Sequence, residues 1–388
     1  MNTACDWPNA ARVGPAAPNP LSEAEVTERV RASLASPLGY PSLLSATAPG
    51  DRLAVAIAEN LPQAGPATLG AMLACFDAGV SPDSIALVGR AAAMERATLF
   101  LRSADEQLTE TVEFVTHEPT DEESTAMLSV TAEGEPIRLN RVLFEADVVL
   151  SLGTTAGAGG NPRSDFLAGL YPGLADSQTL RQLELEDVEK ASDHIHDAVW
   201  RLGLGLAVAL LPGQGGGVGD IVAGSPDALR KEIRHRTRKA WSVDVEKPAD
   251  LVVAELSGPG PLQTWQALAA ALTAAERFAK PGAPVIARSQ IDLPLGAALS
   301  RLVEDDSPER IERQLRKDRM PDSAAVLTLA QVLDRRPVFL ESALQPQLAE
   351  ALGFSPLADE YEVERLVGQH VSVVVLPDAQ FVLPVVRR

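Results

Sequence analysis

The side chains that could carry chemistry in this chain are few and scattered. There are five histidines, His117, His194, His196, His235 and His370, and two cysteines, Cys5 and Cys75. His194-Ile195-His196 has i, i+2 spacing. On a strand that spacing puts two imidazoles on one face, and on a helix it sends them apart. The surrounding Leu183–Trp200 reads helical, so a shared metal is disfavoured and no protein-built metal centre is expected. Two cysteines cannot make a disulfide framework or a cysteine-rich metal site. The zinc pattern His-Glu-x-x-His, the pair Cys-x-x-Cys and the elbow Gly-x-Ser-x-Gly are all missing. Zinc hydrolysis and serine-nucleophile catalysis therefore have no carrier. Glu59, Arg90, Asp165 and His117 stand as exposed candidates for acid–base or anion chemistry, and their spacing names no reaction.

Two glycine clusters could bring backbone close to a ligand. Gly213-Gln214-Gly215-Gly216-Gly217-Val218-Gly219 follows an apolar strand, but no Gly-Lys-Ser/Thr closes it and Asp220–Gly224 reads as another strand. A hairpin turn, with glycines supplying positive φ, is the expected structure. Gly153-Thr154-Thr155-Ala156-Gly157-Ala158-Gly159-Gly160-Asn161-Pro162 directly follows a strand, and it reads equally as a site loop or as a mobile loop over a cleft mouth.

The elements that must position these groups are legible from hydrophobic period. Ser22, with Glu25 in the capping-box position, begins a helix that puts Val26, Val30 and Leu34 on one face. Arg52–Ala58, Pro66–Ala78 and Ser84–Gly89 read as strand, helix and strand, a parallel βαβ unit. Ala146–Gly153 and Leu204–Leu211 are further strands. A second unit starts near Pro248, with strand Ala249–Glu255, helix Thr264–Ala279 and strand Ala283–Ala287. A charge-rich helix over Ser307–Arg319 and strands Pro337–Leu340 and Val371–Leu376 follow. The expected fold is α/β, two domains with parallel sheets and an interdomain cleft: residues 1–20 as a flexible leader, 21–245 as the first domain and 246–388 as the second, its last strand free to return to the first. At 388 residues a two-domain chain is the default.

Charge narrows the partners. With 34 basic and 53 acidic residues the net charge is −19, which repels nucleic acid and anionic membranes. The one basic run, Arg230–Lys239, reads as a solvated helix face, with phosphate binding as the competing reading. No basic stretch leads into an apolar run at the N-terminus, and the longest apolar stretch, Leu202–Leu211, is far short of the ~20 residues of a membrane helix. A cytoplasmic protein without a membrane or nucleic-acid partner is expected.

Several segments, in order, resemble the nickel-pincer lactate racemase family. Gly134–Leu150 (GEPIRLNRVLFEADVVL) is similar to the family's G-x-P-x-x-x-N-x-x-x-x-E-A-D segment. Tyr171–Leu180, Asp220–Asp227, Ser257–Ala275 with Trp265-Gln266-Ala267, and Leu376–Pro384 resemble its later motifs. The resemblance runs from about residue 25 to the C-terminus. It implies two α/β domains and hydride removal and return at a lactate carbon. The implied cofactor is a nickel-bearing pyridinium mononucleotide attached to a lysine, with histidines as nickel ligand, acid and base. That division is chemically sensible, since imidazole titrates near neutrality.

The functional residues do not carry over. Glu59-Asn60-Leu61-Pro62-Gln63 keeps a carboxylate where the family has Asp-x-x-Arg-Pro, but not the arginine. Gly89-Arg90-Ala91 stands where the family has Gly-Thr-His, and Gln182-Leu183 near its Asn-His. Thr154–Gly169, matching the catalytic loop, has neither His nor Lys. Arg163 cannot replace the lysine, because a guanidinium stays protonated. Gln266 matches, while the lysine three residues on is Ala269. If the family cleft is retained, Glu59, Arg90, Asn161, Arg163 and Gln266 converge on it, locally basic and suited to a small carboxylate or phosphate. No cofactor is expected. Three functions stay open: a racemase-like protein without nickel-pincer activity that binds a small anion or regulates; an active 2-hydroxyacid isomerase; and different chemistry on the same fold.

Overall fold

The computed structural model describes residues 7–130, 134, 136–155, 165–184, 188–304, 313, 315 and 323–386. Its strands in chain order are β1 (Ala10–Arg12), β2 (Leu53–Ile57), β3 (Ile85–Gly89), β4 (Glu113–Thr116), β5 (Thr125–Val130), β6 (Pro136–Asn140), β7 (Val148–Thr154), β8 (Leu206–Pro212), β9 (Val218–Gly224), β10 (Ser242–Asp244), β11 (Leu251–Glu255), β12 (Val285–Arg288), β13 (Val338–Glu341), β14 (Ser355–Leu357), β15 (Val373–Leu376) and β16 (Leu383–Val385). Two six-stranded sheets form, in the orders β4-β3-β2-β7-β8-β9 and β1-β15-β11-β12-β13-β14. Every pair is parallel except β8–β9, an antiparallel hairpin at one edge. Val55 and Val252 thus lie in different sheets.

The central strands are continuous apolar runs because helices cover both faces of each sheet. Along β2, Leu53, Val55 and Ile57 enter one core while Ala54 and Ala56 enter the other, the alternation a pleated strand imposes. The Glu23–Ala35 helix starts at Ser22 with the reciprocal capping box in place, and Val26, Val30 and Leu34 are fully buried. It packs against the Ala64–Asp77 helix at Gly70, where a Cβ would stand 2.4 Å from the Thr27 carbonyl oxygen.

The flexible leader expected at residues 1–20 is corrected over its described part. β1 lies parallel to β15 at the edge of the second sheet, and the chain then crosses to the first domain, where Leu21 donates its amide to the Val218 carbonyl. No local pattern announces this, because the pairing joins residues at opposite ends of the chain. Ala17, Trp241 and Phe381 make a small core of their own between the domains, with the two rings 5.0 Å apart. Beside it β16 pairs with β10, the strand that leaves the first domain. The charge-rich helix expected over 307–319 lies outside the described residues apart from Arg313 and Leu315. Among the described residues no helix is long and apolar enough to cross a membrane.

Candidate functional site

In an open parallel sheet, ligands bind beyond the carboxyl ends of the strands where the strand order reverses. This chain has two such points, between β2 and β7 and between β11 and β15. The second is contacted from the first domain. The β8–β9 hairpin tip reaches across from the first domain, and Gly215, at φ +68, donates its amide to Asp378, which follows β15. Gly216 lies so close to Gly258 that a Cβ would stand 2.6 Å from its Cα. The Gly213–Gly219 cluster is therefore the expected hairpin turn, used as an interdomain contact.

The first point is open. A cavity of about 490 Å³ lies there, lined by Glu59 and Asn60 after β2, Arg90 after β3, Arg96, Thr154 at the end of β7, and Asp165. The floor is set by glycines. A Cβ on Gly153 would stand 1.7 Å from the Phe166 carbonyl oxygen, and one on Gly169 would stand 2.2 Å from the Ala58 Cβ, so only glycine lets the 165–175 segment seat on the strand ends.

Arg90 Nη1 lies 3.7 Å from Glu59 Oε2, and both side chains are more than a third exposed. Such a pair is worth only ~0–1 kcal/mol and yields readily to a better partner. Arg96 donates Nη2 to the Glu59 carbonyl oxygen, which ties the helix Ala91–Ala104 to the β2 loop. That helix begins directly after Arg90 with no side-chain cap and three alanines in its first turn; the Ala93 and Met94 amides donate back to the Arg90 carbonyl, and the two amides before them have no partner within the helix. On the opposite wall Asp165 sits 3.9 Å from Arg230 and accepts from the Leu167 amide. Burial pushes its carboxyl above the ordinary value, against the pull of Arg230.

Of the five cleft residues expected from sequence, Glu59 and Arg90 meet in this cavity. Gln266 lines a larger adjoining cavity of about 1130 Å³, on the helix Trp265–Phe278 that Thr264 caps. Asn60 and Thr154 line both cavities, which therefore adjoin. Asn161 and Arg163 lie outside the described residues. His117 is corrected. It is buried, its Nε2 is 3.0 Å from the Ala175 carbonyl oxygen and its Nδ1 is 3.2 Å from Asn140 Nδ2. Both nitrogens are thus occupied in holding the fold. Arg96, Asn60 and Thr154 were not singled out in the sequence. Arg96 acquires its place only through the Glu59 carbonyl, a contact with no signature in residue type. His194 and His196 fall on the helix Val188–Arg201, as expected, and His196 faces Asp227 at 3.5 Å. Among the described residues no cluster of three or more His, Cys, Asp or Glu is placed to hold a metal ion. The basic run lies on the helix Pro226–Trp241, where Arg236 pairs with Glu232 and Asp220 while Lys231, Arg234, Arg238 and Lys239 are exposed.

The arrangement of two α/β domains matches that of a solved lactate racemase. The lactate racemase apoprotein from Thermoanaerobacterium thermosaccharolyticum superposes with a TM-score of 0.74 over 97% of this chain and 95% of that one, at 19% identity. A protein from Thermotoga maritima superposes with a TM-score of 0.65 over 96% of this chain and 100% of that one, at 13% identity. At those identities the likeness is one of fold. Residues 2–183 match the lactate racemase N-terminal domain family. No curated protein matches the sequence.

Proposed function

We propose that this lactate racemase-like protein binds a small carboxylate or phosphate at the β2–β7 reversal point and does not perform nickel-pincer racemisation. The observation that carries the reading is the pairing of Arg90 and Arg96 with an uncapped helix start in the open cavity. Two guanidinium groups beside a helix start favour an anion that displaces the exposed Glu59 carboxylate from Arg90. Glu59 and Asp165 offset the charge of the two arginines in the cleft, and Asp165, with its carboxyl pushed up by burial, is placed to donate to a bound oxyanion once protonated.

The family's cofactor does not fit this donor set. Residues 1–189 contain no lysine to which a mononucleotide could be attached. None of the histidines lines the cavity, and His117, the nearest in sequence to the site strands, has both ring nitrogens in use. Proton transfer on both faces of a hydroxyacid carbon therefore has no imidazole to carry it.

Intact mass and metal content of protein made in cells that synthesise the pincer cofactor test the loss of racemase chemistry. The expected mass is that of the bare chain, without stoichiometric nickel. A mononucleotide-sized adduct, or nickel at one per chain, overturns it. Thermal unfolding with and without inorganic phosphate tests the anion site: the wild-type midpoint rises with phosphate and that of Arg90→Ala does not.

A further inference from the structure

We infer that the anion taken at Arg90 carries an apolar tail, so that the ligand is an amphipathic carboxylate rather than a compact one; this rests on the anion-binding reading above. The cavity holding Arg90 adjoins the larger one, with which it shares Asn60 and Thr154. The larger cavity is lined by polar and apolar side chains together, Gln266, Thr273 and Gln331 among the polar ones. Ala267, Ala270 and Ala274 of the Trp265–Phe278 helix line one side, and Val332, Phe381 and Val382 line others. Gln266 to Ala274 spans about 12 Å of helix axis. Charged side chains in this compartment sit beyond that stretch, where Glu276 pairs with Arg335 at 3.5 Å and with Arg336 at 3.4 Å.

A compact oxyanion would fill only the smaller compartment and leave Ala267 and Ala270, the partly exposed members of this wall, facing solvent. A chain attached to the anionic head would cover them, and burying each methylene favours binding. The charge distribution fixes the direction. The head meets Arg90 and Arg96, and the tail runs between the two domains along the alanine face. Ala269, where the family has lysine, belongs to the same wall.

The test is calorimetric titration of the full chain with butyrate, hexanoate and octanoate, in wild type, Arg90→Ala and Ala270→Phe, with Ala267→Phe as a second filling variant and circular dichroism as the check on folding. Affinity in the wild type is expected to rise about threefold per added methylene. Ala270→Phe or Ala267→Phe is expected to abolish that rise while butyrate still binds, and Arg90→Ala is expected to weaken every member. Equal affinity along the series, or a rise that survives both filling variants, overturns the tail while leaving the anion site standing. No binding by any member, or binding indifferent to Arg90→Ala, overturns the anion site and the tail with it.

Discussion

The amide of Gly215 donates to Oδ1 of Asp378 at 2.9 Å, so a hairpin tip of the first domain is bonded to a strand-end loop of the second. The contact lies at the reversal point between β11 and β15. It also places a carboxylate in a buried position, at φ +52, a backbone region that Asp and Asn tolerate better than most residues.

Burial raises the Asp378 carboxyl above its ordinary value, opposed by bonds from Ser257 and Gly215. The native state therefore holds this proton more tightly than the unfolded chain, and the associated stability is lost as pH rises through the raised value. Asp378→Asn keeps an acceptor for Gly215 without a buried charge. It is expected to equal or exceed the wild type in urea unfolding at pH 7, and to lose this part of the pH dependence. Asp378→Ala leaves the Gly215 amide unpaired and is expected to cost about 1–3 kcal/mol.

Arg230 is the cation that offsets burial of Asp165. Arg230→Met leaves the carboxyl in the cavity wall without it, so its proton is held still more tightly. The variant is expected to be about 1–3 kcal/mol less stable at neutral pH, recovering as pH falls and Asp165 is protonated. Asp165→Asn in the same chain should restore neutral-pH stability. Denaturant melts at two pH values separate these outcomes.

His117 is held neutral, with burial pushing its imidazole below the ordinary value. The unfolded chain takes up the proton first, so stability is expected to fall as pH drops below about 6.5 and to go on falling until the folded-state value is passed. His117→Gln removes that slope. It costs about 1–3 kcal/mol at neutral pH through the loss of bonds to Asn140 and Ala175. Unfolding free energy measured across this range, in both proteins, checks the sign.

Local pattern made much of this fold readable. Ser22 and Glu25 announced a helix start because the capping box is satisfied within four residues, and the strands at β2, β3, β7, β8 and β11 were apolar runs bounded by turn residues. Boundaries moved by a few residues: Pro66–Ala78 became Ala64–Asp77, and Leu183–Trp200 became two helices, Ser177–Glu184 and Val188–Arg201. What was not readable depends on distant partners. β1 is three residues of Ala-Ala-Arg with no strand signal, and exists because β15 offers an open edge. At the site, Glu59 and Arg90 were legible because each directly follows a strand. Arg96 carries no such signal, and nothing near His117 in the chain announces its burial, which comes from Asn140 and Ala175 on later elements.

The central claim is that the cavity between β2 and β7 is an anion site built on Arg90. Calorimetric titration of the wild type and Arg90→Ala with lactate, malate and phosphate at low ionic strength tests it most directly. The account predicts measurable binding of at least one of these anions by the wild type, weakened about tenfold or more by the substitution, since a charge-assisted hydrogen bond contributes ~1.5–3 kcal/mol. Absence of binding to the wild type, or equal binding by both proteins, would contradict it.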